Sequence, residues 1–336
     1  MRIRAQAPCR VDMAGGTIDI WPLYLYHPGA VTVNFAVDRY ASCVLSTRTD
    51  RRIVLRSRDL DGEETFASLK ELSAARRYKL PLLAYLVKFF TPGTGVELAT
   101  DSEAPAGAGI AGSSTLIIAV SSALNRLTGA GYKIEKLREI SQNIEAQIIR
   151  VPTGAQDYYP AMYGGVSAIE LGEAGIARKA VAVDREDLNE RIVLAYTGVP
   201  RNSGINNWEV MKAHIDGDRA VYRNFDHIAA IAMAMRAALE KADWPEVARL
   251  LREEWRNRRT NAPGITTPLI DRLIAVTRRN GAVGAKVCGA GGGGCVFFLV
   301  ERGAKQRVSQ TIAAEGGTVL PVSVAPRGVL VKSSAG

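Results

Sequence analysis

Three glycines and two serines stand directly before a long apolar helical pattern in segment 105–115, which reads Pro-Ala-Gly-Ala-Gly-Ile-Ala-Gly-Ser-Ser-Thr. Glycines let a backbone turn tightly and approach a ligand closely. A serine at the start of the helix would cap it, and the free N–H groups and the dipole there favour an anion. The segment therefore predicts a phosphate-binding loop for a nucleotide. The residues expected to take part are Gly107, Gly109, Gly112, Ser113, Ser114 and Thr115.

The loop fits neither of the two better-known nucleotide motifs. A Walker sequence needs Gly-Lys-Ser/Thr where this chain has Gly-Ser-Ser at 112–114. A dinucleotide fingerprint needs an acidic residue at a strand end about 20 residues later. Here Glu135 and Glu139 lie on a helical pattern instead. Taken alone, the loop is equally explained as a device that only starts a helix.

A second glycine run occupies residues 289–294, where five of six positions are glycine. It lies between two β-type stretches, 283–288 and 295–300, and contains more glycine than a hairpin turn requires. One explanation is a flexible surface loop. The other is a backbone that passes very close to a bound molecule, with Gly291 and Gly292 at the contact.

A third motif lies near the N-terminus, where residues 7–19 read Ala-Pro-Cys-Arg-Val-Asp-Met-Ala-Gly-Gly-Thr-Ile-Asp. The three motifs in this order resemble those of the GHMP kinase superfamily, which includes galactokinase, homoserine kinase, mevalonate kinase and phosphomevalonate kinase. The resemblance extends from Pro8 to Cys295. The Arg-x-Asp-x-Ala-Gly-Gly-x-x-Asp form of this motif and Gly-Ala-Gln-Asp at 154–157 look most like the sugar kinase branch that includes the heptose-phosphate kinases.

The resemblance implies an α+β, two-lobed fold. The N-terminal lobe is expected to be ribosomal-S5-domain-2-like and the C-terminal lobe a ferredoxin-like α/β sandwich, with domains at residues 1–180 and 190–336. Two departures stand out: Ile-Ala-Gly at 110–112 is one residue longer than the usual Leu-Gly, and Gly16 replaces the Glu of galactokinases.

The activity implied by the resemblance is ATP-dependent phosphoryl transfer to an alcohol. ATP and Mg²⁺ are the expected cofactors. The expected substrate is a sugar or a sugar phosphate such as heptose 7-phosphate, with the anomeric hydroxyl as acceptor. A non-sugar alcohol such as mevalonate is the alternative within the kinases. A noncatalytic nucleotide- or nucleic-acid-binding module is the alternative outside them.

The catalytic residues implied by the resemblance are Asp157 and Arg10. In the sugar kinases the Asp that matches Asp157 lies close to the acceptor hydroxyl and acts as base. A guanidinium beside it keeps the carboxylate ionised and steadies charge on the γ-phosphate. Strand alternation places Pro8, Arg10 and Asp12 on one face. Because the transition state of phosphoryl transfer is loose, the carboxylate either takes the proton or only positions the hydroxyl. An Asp that merely caps a turn is the alternative.

The metal ligands implied by the resemblance are Ser114 and Glu145. Ser114 stands at the start of the helix that follows the first loop, and GHMP kinases commonly place a magnesium-binding Glu on the next helix. Glu145 follows Ile144, a member of the apolar stripe of its helix, so its carboxylate is able to reach inward. Hard oxygen ligands suit Mg²⁺. The alternatives are a cap for Ser114 and a solvated helix face for Glu145.

Asp19 is the expected reader of the sugar. Galactokinases carry an Asp nine residues after the motif arginine, and Arg10 and Asp19 have the same separation. A carboxylate accepts hydrogen bonds from two neighbouring hydroxyls at once. An Asx-type turn is the alternative.

Five further residues are expected to contact the substrate. Small residues at positions 16 and 17 leave room for a bulkier or differently oriented ring. The tryptophan that follows either stacks on the apolar face of that ring or belongs to the core. An arginine after the strand that ends near residue 196 either binds a phosphate already present on the substrate or is a structural loop residue. These positions are Gly16, Thr17, Trp21, Gln156 and Arg201.

Length and composition bound the remaining classes. A chain of 336 residues exceeds the usual size of one core, so two domains are expected. The formal net charge of +9 is spread among acidic residues without aromatic interleaving, which argues against a nucleic-acid partner. No apolar run approaches about 20 residues, and the N-terminus has no apolar signal core. Four scattered cysteines without metal spacing indicate reduced thiols, although a Cys288–Cys295 disulfide is an alternative. A cytoplasmic enzyme is expected, and a homodimer is compatible with the sequence.

Periodicity predicts the elements that position these motifs. Strands are expected at 3–11, 30–46, 164–171, 191–196, 319–325 and 328–331, in addition to the two that flank the second glycine run. Helices are expected at 81–90, 114–127, 134–149, 205–215, 220–241, 245–260, 268–280 and 304–314. Turns and charges at 172–189 indicate a domain junction.

Overall fold

A computed structural model describes residues 1–200, 204–260 and 263–334. Its strands are β1 Arg2–Ala14, β2 Val31–Thr47, β3 Ile53–Ser57, β4 Gly62–Phe66, β5 Val96–Ser102, β6 Val166–Gly172, β7 Gly175–Ala180, β8 Ile192–Tyr196, β9 Ala282–Val287, β10 Cys295–Val300, β11 Thr318–Leu320 and β12 Leu330–Ser334. Its α-helices are α1 Leu69–Ala74, α2 Pro81–Phe90, α3 Gly112–Thr128, α4 Ile134–Ile149, α5 Tyr158–Tyr163, α6 Arg185–Arg191, α7 Gly204–Ile215, α8 Arg219–Glu240, α9 Trp244–Arg258, α10 Pro268–Arg278 and α11 Lys305–Ala314.

The described strands form two sheets. The larger has the order β12-β1-β2-β5-β3-β4, and β6 and β7 extend from β2. The smaller is antiparallel and has the order β11-β8-β10-β9. Helices α2, α3 and α4 pack with the larger sheet, and α9, α10 and α11 contact the smaller one. This arrangement confirms the α+β class.

Strand β1 explains how charged side chains come to be buried. Its first five residues alternate between exposed and buried, whereas every residue from Ala7 onward is buried. Ile3 and Ala7 belong to the core around α3, but Val11 belongs to a second core with α8, α9 and β10. The register with β2 shifts between Pro8 and Cys9, and such a bulge re-aims side chains.

The bulge modifies the predicted alternation from Pro8 to Asp12. Arg10 and Asp12 remain on one face, since Arg10 Nη1 lies 3.3 Å from Asp12 Oδ1. The side chain of Val11 occupies the second core, so Arg10 and Asp12 face the loops that surround the cavity described below. One strand thus delivers two charged groups to the same place.

Several boundaries differ from the sequence-based prediction for local reasons. Helix α3 begins at Gly112, two residues early. The predicted strand 319–325 ends at Leu320 because Pro321, which has no N–H to donate, follows directly. The charged segment 172–189 contains β7 and most of α6. The short elements β3, β4, β5, α1 and α5 were not predicted.

The structure also bears on the expectation that the four cysteines are reduced thiols. Cys9, Cys43, Cys288 and Cys295 are all buried thiols. Burial raises the pKa of Cys9 and of Cys43 to about 12, so these two thiols are protonated and unreactive at neutral pH.

Among the described residues, every helix is too short or too polar to span a bilayer.

Candidate active site

Most of the predicted site residues line one cavity, which has a volume of about 420 Å³. Its walls come from the 105–114 loop, the 16–20 turn, the end of α4, the 153–157 segment before α5, and the second glycine run. The predicted residues that line it are Arg10, Gly16, Thr17, Asp19, Gly107, Gly109, Gly112, Ser113, Ser114, Glu145, Gln156 and Asp157.

The first glycine loop presents an uncapped helix end to this cavity. Gly107 and Gly109 have φ of 68° and 79°, values that favour glycine. Ala111 is the N-cap residue of α3, and its side chain makes no capping hydrogen bond. Ser113 and Ser114 lie within that turn, so the predicted serine cap is wrong. The free N–H groups and the positive end of the helix dipole form a site for an anion.

The second glycine run contacts the first loop, as expected. Cys295 N donates to Ala108 O at 2.7 Å, and a Cβ at Gly294 would lie 2.7 Å from the same oxygen. The cavity, however, is lined by Gly289 and Ala290. The two glycines that were expected at the ligand do not line it.

Gly291 and Gly292 pack against a neighbouring segment instead. A Cβ at Gly291 would lie 2.4 Å from Ile265 O, and Gly292 N donates to that oxygen at 2.8 Å. Their φ of 80° would strain any other residue type. These glycines allow the second glycine run to pack closely against the backbone at Ile265. The sequence alone does not distinguish this packing role from contact with a ligand.

Arg10 and Asp157 form the ion pair that the sequence predicts. Arg10 Nε and Nη2 donate to Asp157 Oδ1 at 2.9 and 2.6 Å. Arg10 Nη1 also donates to Gly109 O at 2.8 Å, which ties the pair to the phosphate loop. Burial opposes the charge of Arg10, but Asp157 and Asp12 together raise its pKa. Asp157 precedes α5 and makes no cap hydrogen bond, so its carboxylate is not a helix cap.

Glu145 and the two serines of α3 meet beside this pair. Ser113 Oγ and Ser114 Oγ donate to the two carboxylate oxygens of Glu145 at 2.6 and 2.9 Å. The hydroxyl of Tyr158 donates to the same carboxylate. Burial raises the pKa of Glu145 despite these three donors. The sequence analysis did not predict a role for Tyr158, whose position directly after Asp157 was the only indication that it lies in the site.

Asp19 is buried against the backbone that precedes α5. It accepts a hydrogen bond from Gln156 N at 2.8 Å, and a Cβ at Gly154 would lie 2.1 Å from Asp19 Oδ2. Burial raises the pKa of Asp19 to about 6. Gln156 Oε1 is also buried and has no hydrogen-bond partner among the described residues. The segment that contacts Asp19 therefore contains a buried acceptor, Gln156 Oε1, that lacks a donor.

Beneath the cavity lies a cluster of buried charges that the sequence did not reveal. Lys286 Nζ donates to the carboxylate and to the carbonyl oxygen of Asp12, and both side chains are fully buried. Gly289 N donates to Asp12 Oδ1 at 3.1 Å. Burial opposes the charge of Asp12, but Lys286, Arg10 and Arg258 hold its pKa well below the usual range. A lysine inside an apolar strand was the available signal.

Two further predicted residues, Thr115 and Trp21, do not line the cavity either. The Thr115 hydroxyl donates to Pro8 O at 3.4 Å, so this side chain joins α3 to β1. Trp21 is 66% exposed and is not part of the cavity wall. Arg201 lies outside the described residues.

Comparison with protein families places this site in a known context. The family model described as "GHMP kinases N terminal domain" matches residues 75–165, and "GHMP kinases C terminal" matches residues 235–317. Together they cover more than half of the chain.

Individual relatives and solved structures that resemble this chain are also kinases. The chain is 28% identical to a D-glycero-alpha-D-manno-heptose 7-phosphate kinase of Campylobacter jejuni, over 97% of this chain and 98% of that protein. It is 25% identical to a galactokinase of Roseiflexus, over 92% and 86%. A D-glycero-D-manno-heptose 1-phosphate kinase structure from Bacteroides thetaiotaomicron shares the fold, with a TM-score of 0.80, 22% identity and coverage of 99% and 100%.

Proposed function

Because this chain belongs to the GHMP kinase superfamily and is an ATP-dependent kinase of its sugar branch, we propose that it phosphorylates the anomeric hydroxyl of a sugar phosphate of the heptose 7-phosphate class. The observation that carries the proposal is the ion pair between Arg10 and Asp157. It lies in one cavity with the uncapped end of α3 on one side and Asp19 on the other.

The polar groups around Asp19 support a polyhydroxylated substrate. Asp19 and the unpartnered Gln156 Oε1 are acceptors, and buried acceptors without donors are unfavourable. Adjacent hydroxyls of a sugar supply such donors. Mevalonate has only two hydroxyls, one of which receives the phosphoryl group, so it offers these acceptors a single remaining hydroxyl donor. The Campylobacter relative named for heptose 7-phosphate supports the same substrate class.

Asp157 is the group that meets the acceptor hydroxyl in this proposal. Its carboxylate keeps one oxygen on Arg10 and uses the other to accept the hydroxyl hydrogen bond. Proton transfer from that hydroxyl to the carboxylate accompanies the attack of the hydroxyl oxygen on the γ-phosphorus, while the bond from this phosphorus to the β,γ-bridging oxygen breaks and ADP leaves. Arg10, which also holds the phosphate loop at Gly109 O, neutralises charge on the transferred group.

The same cavity offers a place for Mg²⁺. Glu145 is a buried carboxylate whose only partners within the described chain are three hydroxyls, so a cation would supply the opposite charge that it lacks. No cluster of three metal-binding side chains exists among the described residues. That is typical of Mg²⁺, which takes one or two carboxylates and otherwise phosphates and water. Ser114 and Glu145 would hold it, and the bound ion would neutralise the phosphates of ATP.

A phosphorylation panel tests the substrate. Purified protein is given ATP, Mg²⁺ and, separately, heptose 7-phosphate, free hexoses, N-acetylhexosamines and mevalonate, and products are identified by phosphorus NMR. We expect a new anomeric phosphate with heptose 7-phosphate. Faster turnover of mevalonate than of every sugar would contradict the proposal.

Substitution of Asp157 tests the mechanism. Asp157→Asn keeps the side-chain shape but removes the negative charge, so we expect kcat to fall by about 10² to 10⁴-fold. ATP binding, measured by calorimetry, should change little because the phosphate loop is intact. Asp101→Asn, an exposed aspartate on β5, is the control. Near-normal turnover by Asp157→Asn would exclude the assignment.

We further propose that the enzyme works in the cytoplasm and without a nucleic-acid partner. Several of its exposed cations are paired with acids: Arg249 pairs with Glu246 and Glu253, and Lys136 pairs with Glu139. Matched charges do not form a phosphate-binding surface. A salt-sensitive gel shift with DNA or RNA would contradict the second part.

A further inference from the structure

Arg258 lies at the end of α9, far along the chain from every motif above, and yet it lines the cavity. Its side chain is 3% exposed. Nη2 donates to Gly16 O at 2.9 Å and Nη1 donates to Thr17 Oγ1 at 3.4 Å. The C-terminal half of the chain thereby holds the turn that carries the sugar-reading residues.

Glu254, one helical turn earlier, fixes the guanidinium. Arg258 Nε and Nη2 both donate to Glu254 Oε1, at 2.8 and 2.6 Å. Glu254 is fully buried, and Lys286 Nζ lies 4.0 Å from the same oxygen. A planar guanidinium with several bonds in a fixed direction loses its freedom to move. Arg258 is therefore a rigid part of the cavity floor.

The glycine at position 16 makes space for this arginine. A Cβ at Gly16 would lie 2.9 Å from Arg258 Nη2 and 3.0 Å from Gln156 Nε2. Gly16 is not among the residues with positive φ, so its backbone does not itself require glycine. The volume that a side chain at position 16 would fill is instead filled by the guanidinium.

The neighbouring residue shows that the turn needs support. Thr17 has a φ of 76°, which is strained for a β-branched residue. Such strain persists only where surrounding contacts over-determine it. Arg258 bonds both the carbonyl before Thr17 and the hydroxyl of Thr17 itself. Asp19 follows two residues later, so the position of its carboxylate depends on this turn.

We propose that Arg258 determines sugar specificity as a positioning residue: it holds the 15–17 turn, and through it Asp19, in register with the sugar hydroxyls. This inference rests on the proposed function, because it assigns Asp19 to the sugar. Arg258 is part of the cavity floor, but it acts on the sugar by holding the turn and therefore supports sugar binding, while ATP binding and phosphoryl transfer depend on other groups.

The net charge of the side chains beneath the turn determines whether this part of the cavity binds the hydroxyls or the phosphate of the substrate. Arg258 and Lys286 are balanced by Glu254 and Asp12, and all four side chains are buried. Asp19 then adds one negative charge. A floor without excess positive charge disfavours phosphate and suits neutral hydroxyls. The phosphate of the substrate is therefore bound away from Arg258.

A double-mutant cycle between positions 16 and 258 tests the proposal, with the sugars of the panel above as probes. We expect Gly16→Ala alone, and Arg258→Ala alone, each to raise the sugar KM about tenfold or more, with the KM for ATP unchanged. In the Arg258→Ala background the added methyl no longer meets the guanidinium, its nearest neighbour, and keeps only the contacts at 3.0 Å with Gln156 Nε2 and at 3.2 Å with Asp12 Oδ2. Gly16→Ala should therefore add a smaller factor there, less than about threefold. An equal factor in both backgrounds would overturn the proposal.

Controls separate positioning from folding. Arg256→Ala, on the exposed face of the same helix, should leave both KM values unchanged. If Arg258→Ala is unstable in thermal unfolding, Arg258→Lys keeps the charge opposite Glu254 but loses the fork to the turn, and it should still raise the sugar KM. A normal sugar KM for Arg258→Lys also overturns the proposal. Failure of the proposed function is distinct, because wild-type protein would then phosphorylate no sugar of the panel.

Discussion

At the residue scale, one carboxyl group sets a pH dependence. Burial raises the pKa of Asp19 to about 6. Below that pH the group is protonated and accepts weakly from sugar hydroxyls; above it the carboxylate accepts from two. We therefore expect kcat/KM for the sugar to rise as pH increases from 5 to 7, with a midpoint near 6. Initial rates at low sugar concentration measure this limb.

Asp19→Asn identifies the group responsible. The amide does not titrate, so the variant should lose the limb near pH 6 and keep a uniformly low kcat/KM. The sign for stability is opposite to that for activity. Because the folded pKa lies above the unfolded value near 3.8, burial of Asp19 favours the folded state at low pH, and this contribution is lost as pH rises through about 6. An unchanged pH profile in Asp19→Asn would refute the assignment.

At the element scale, the two glycine-rich segments work as one unit. Gly294 has a φ of 72° and would place a Cβ 2.7 Å from Ala108 O. Gly294→Ala should therefore push the first loop out of position and raise the KM for ATP about tenfold, because misplaced phosphate contacts are lost. Gly303→Ala is the matched control, since its φ is 79° but its Cβ would meet nothing within 4 Å.

The control makes the element-scale outcome decisive. Both variants carry the backbone strain of a left-handed alanine, about 1 kcal/mol, so both should unfold at a slightly lower temperature. Only Gly294→Ala should alter ATP binding, which calorimetry with a nonhydrolysable analogue measures. Equal ATP affinity in the two variants would mean that the contact between the segments does not shape the nucleotide site.

The range over which residues interact determines which parts of the structure could be predicted from the sequence. Helices α2, α3 and α4 follow from apolar periodicity, and the Arg10–Asp157 pair follows from motifs that resemble a family. Arg258 and Lys286 were missed because their roles depend on contacts more than 240 positions distant in sequence, at Gly16 and Asp12. Short elements such as β4 and α5 contain too few residues for periodicity to appear.

At the scale of the whole molecule, buried charges join segments that are far apart in the chain. Asp12 lies on β1, Lys286 on β9 and Glu254 on α9. Lys286 contacts both acids inside the protein. Charges that are taken out of water need their partners, and removal of one leaves the others uncompensated. The cluster thus couples the stability of the larger sheet to that of the smaller one.

Lys286→Met removes the cation but keeps much of the volume. We expect the free energy of unfolding in denaturant to fall by about 3 to 5 kcal/mol, because Asp12 is left with less compensation. Asp12→Asn in the same background should recover part of this loss, since it removes the unbalanced charge. Lys212→Met, which breaks an exposed ion pair with Asp216, should leave the unfolding midpoint unchanged.

Acid provides an independent measurement of the same cluster. The folded pKa of Asp12 lies below its unfolded value near 3.8, so its contribution to stability is present above that pH and is lost as pH falls through the folded pKa. Lys286 is the largest of the charges that lower this pKa. Lys286→Met should therefore narrow the gap between the stabilities at pH 7 and pH 3 relative to wild type. A gap as wide as that of wild type would show that other carboxylates control acid unfolding and that the Asp12–Lys286 pair contributes little to the joint between the two sheets.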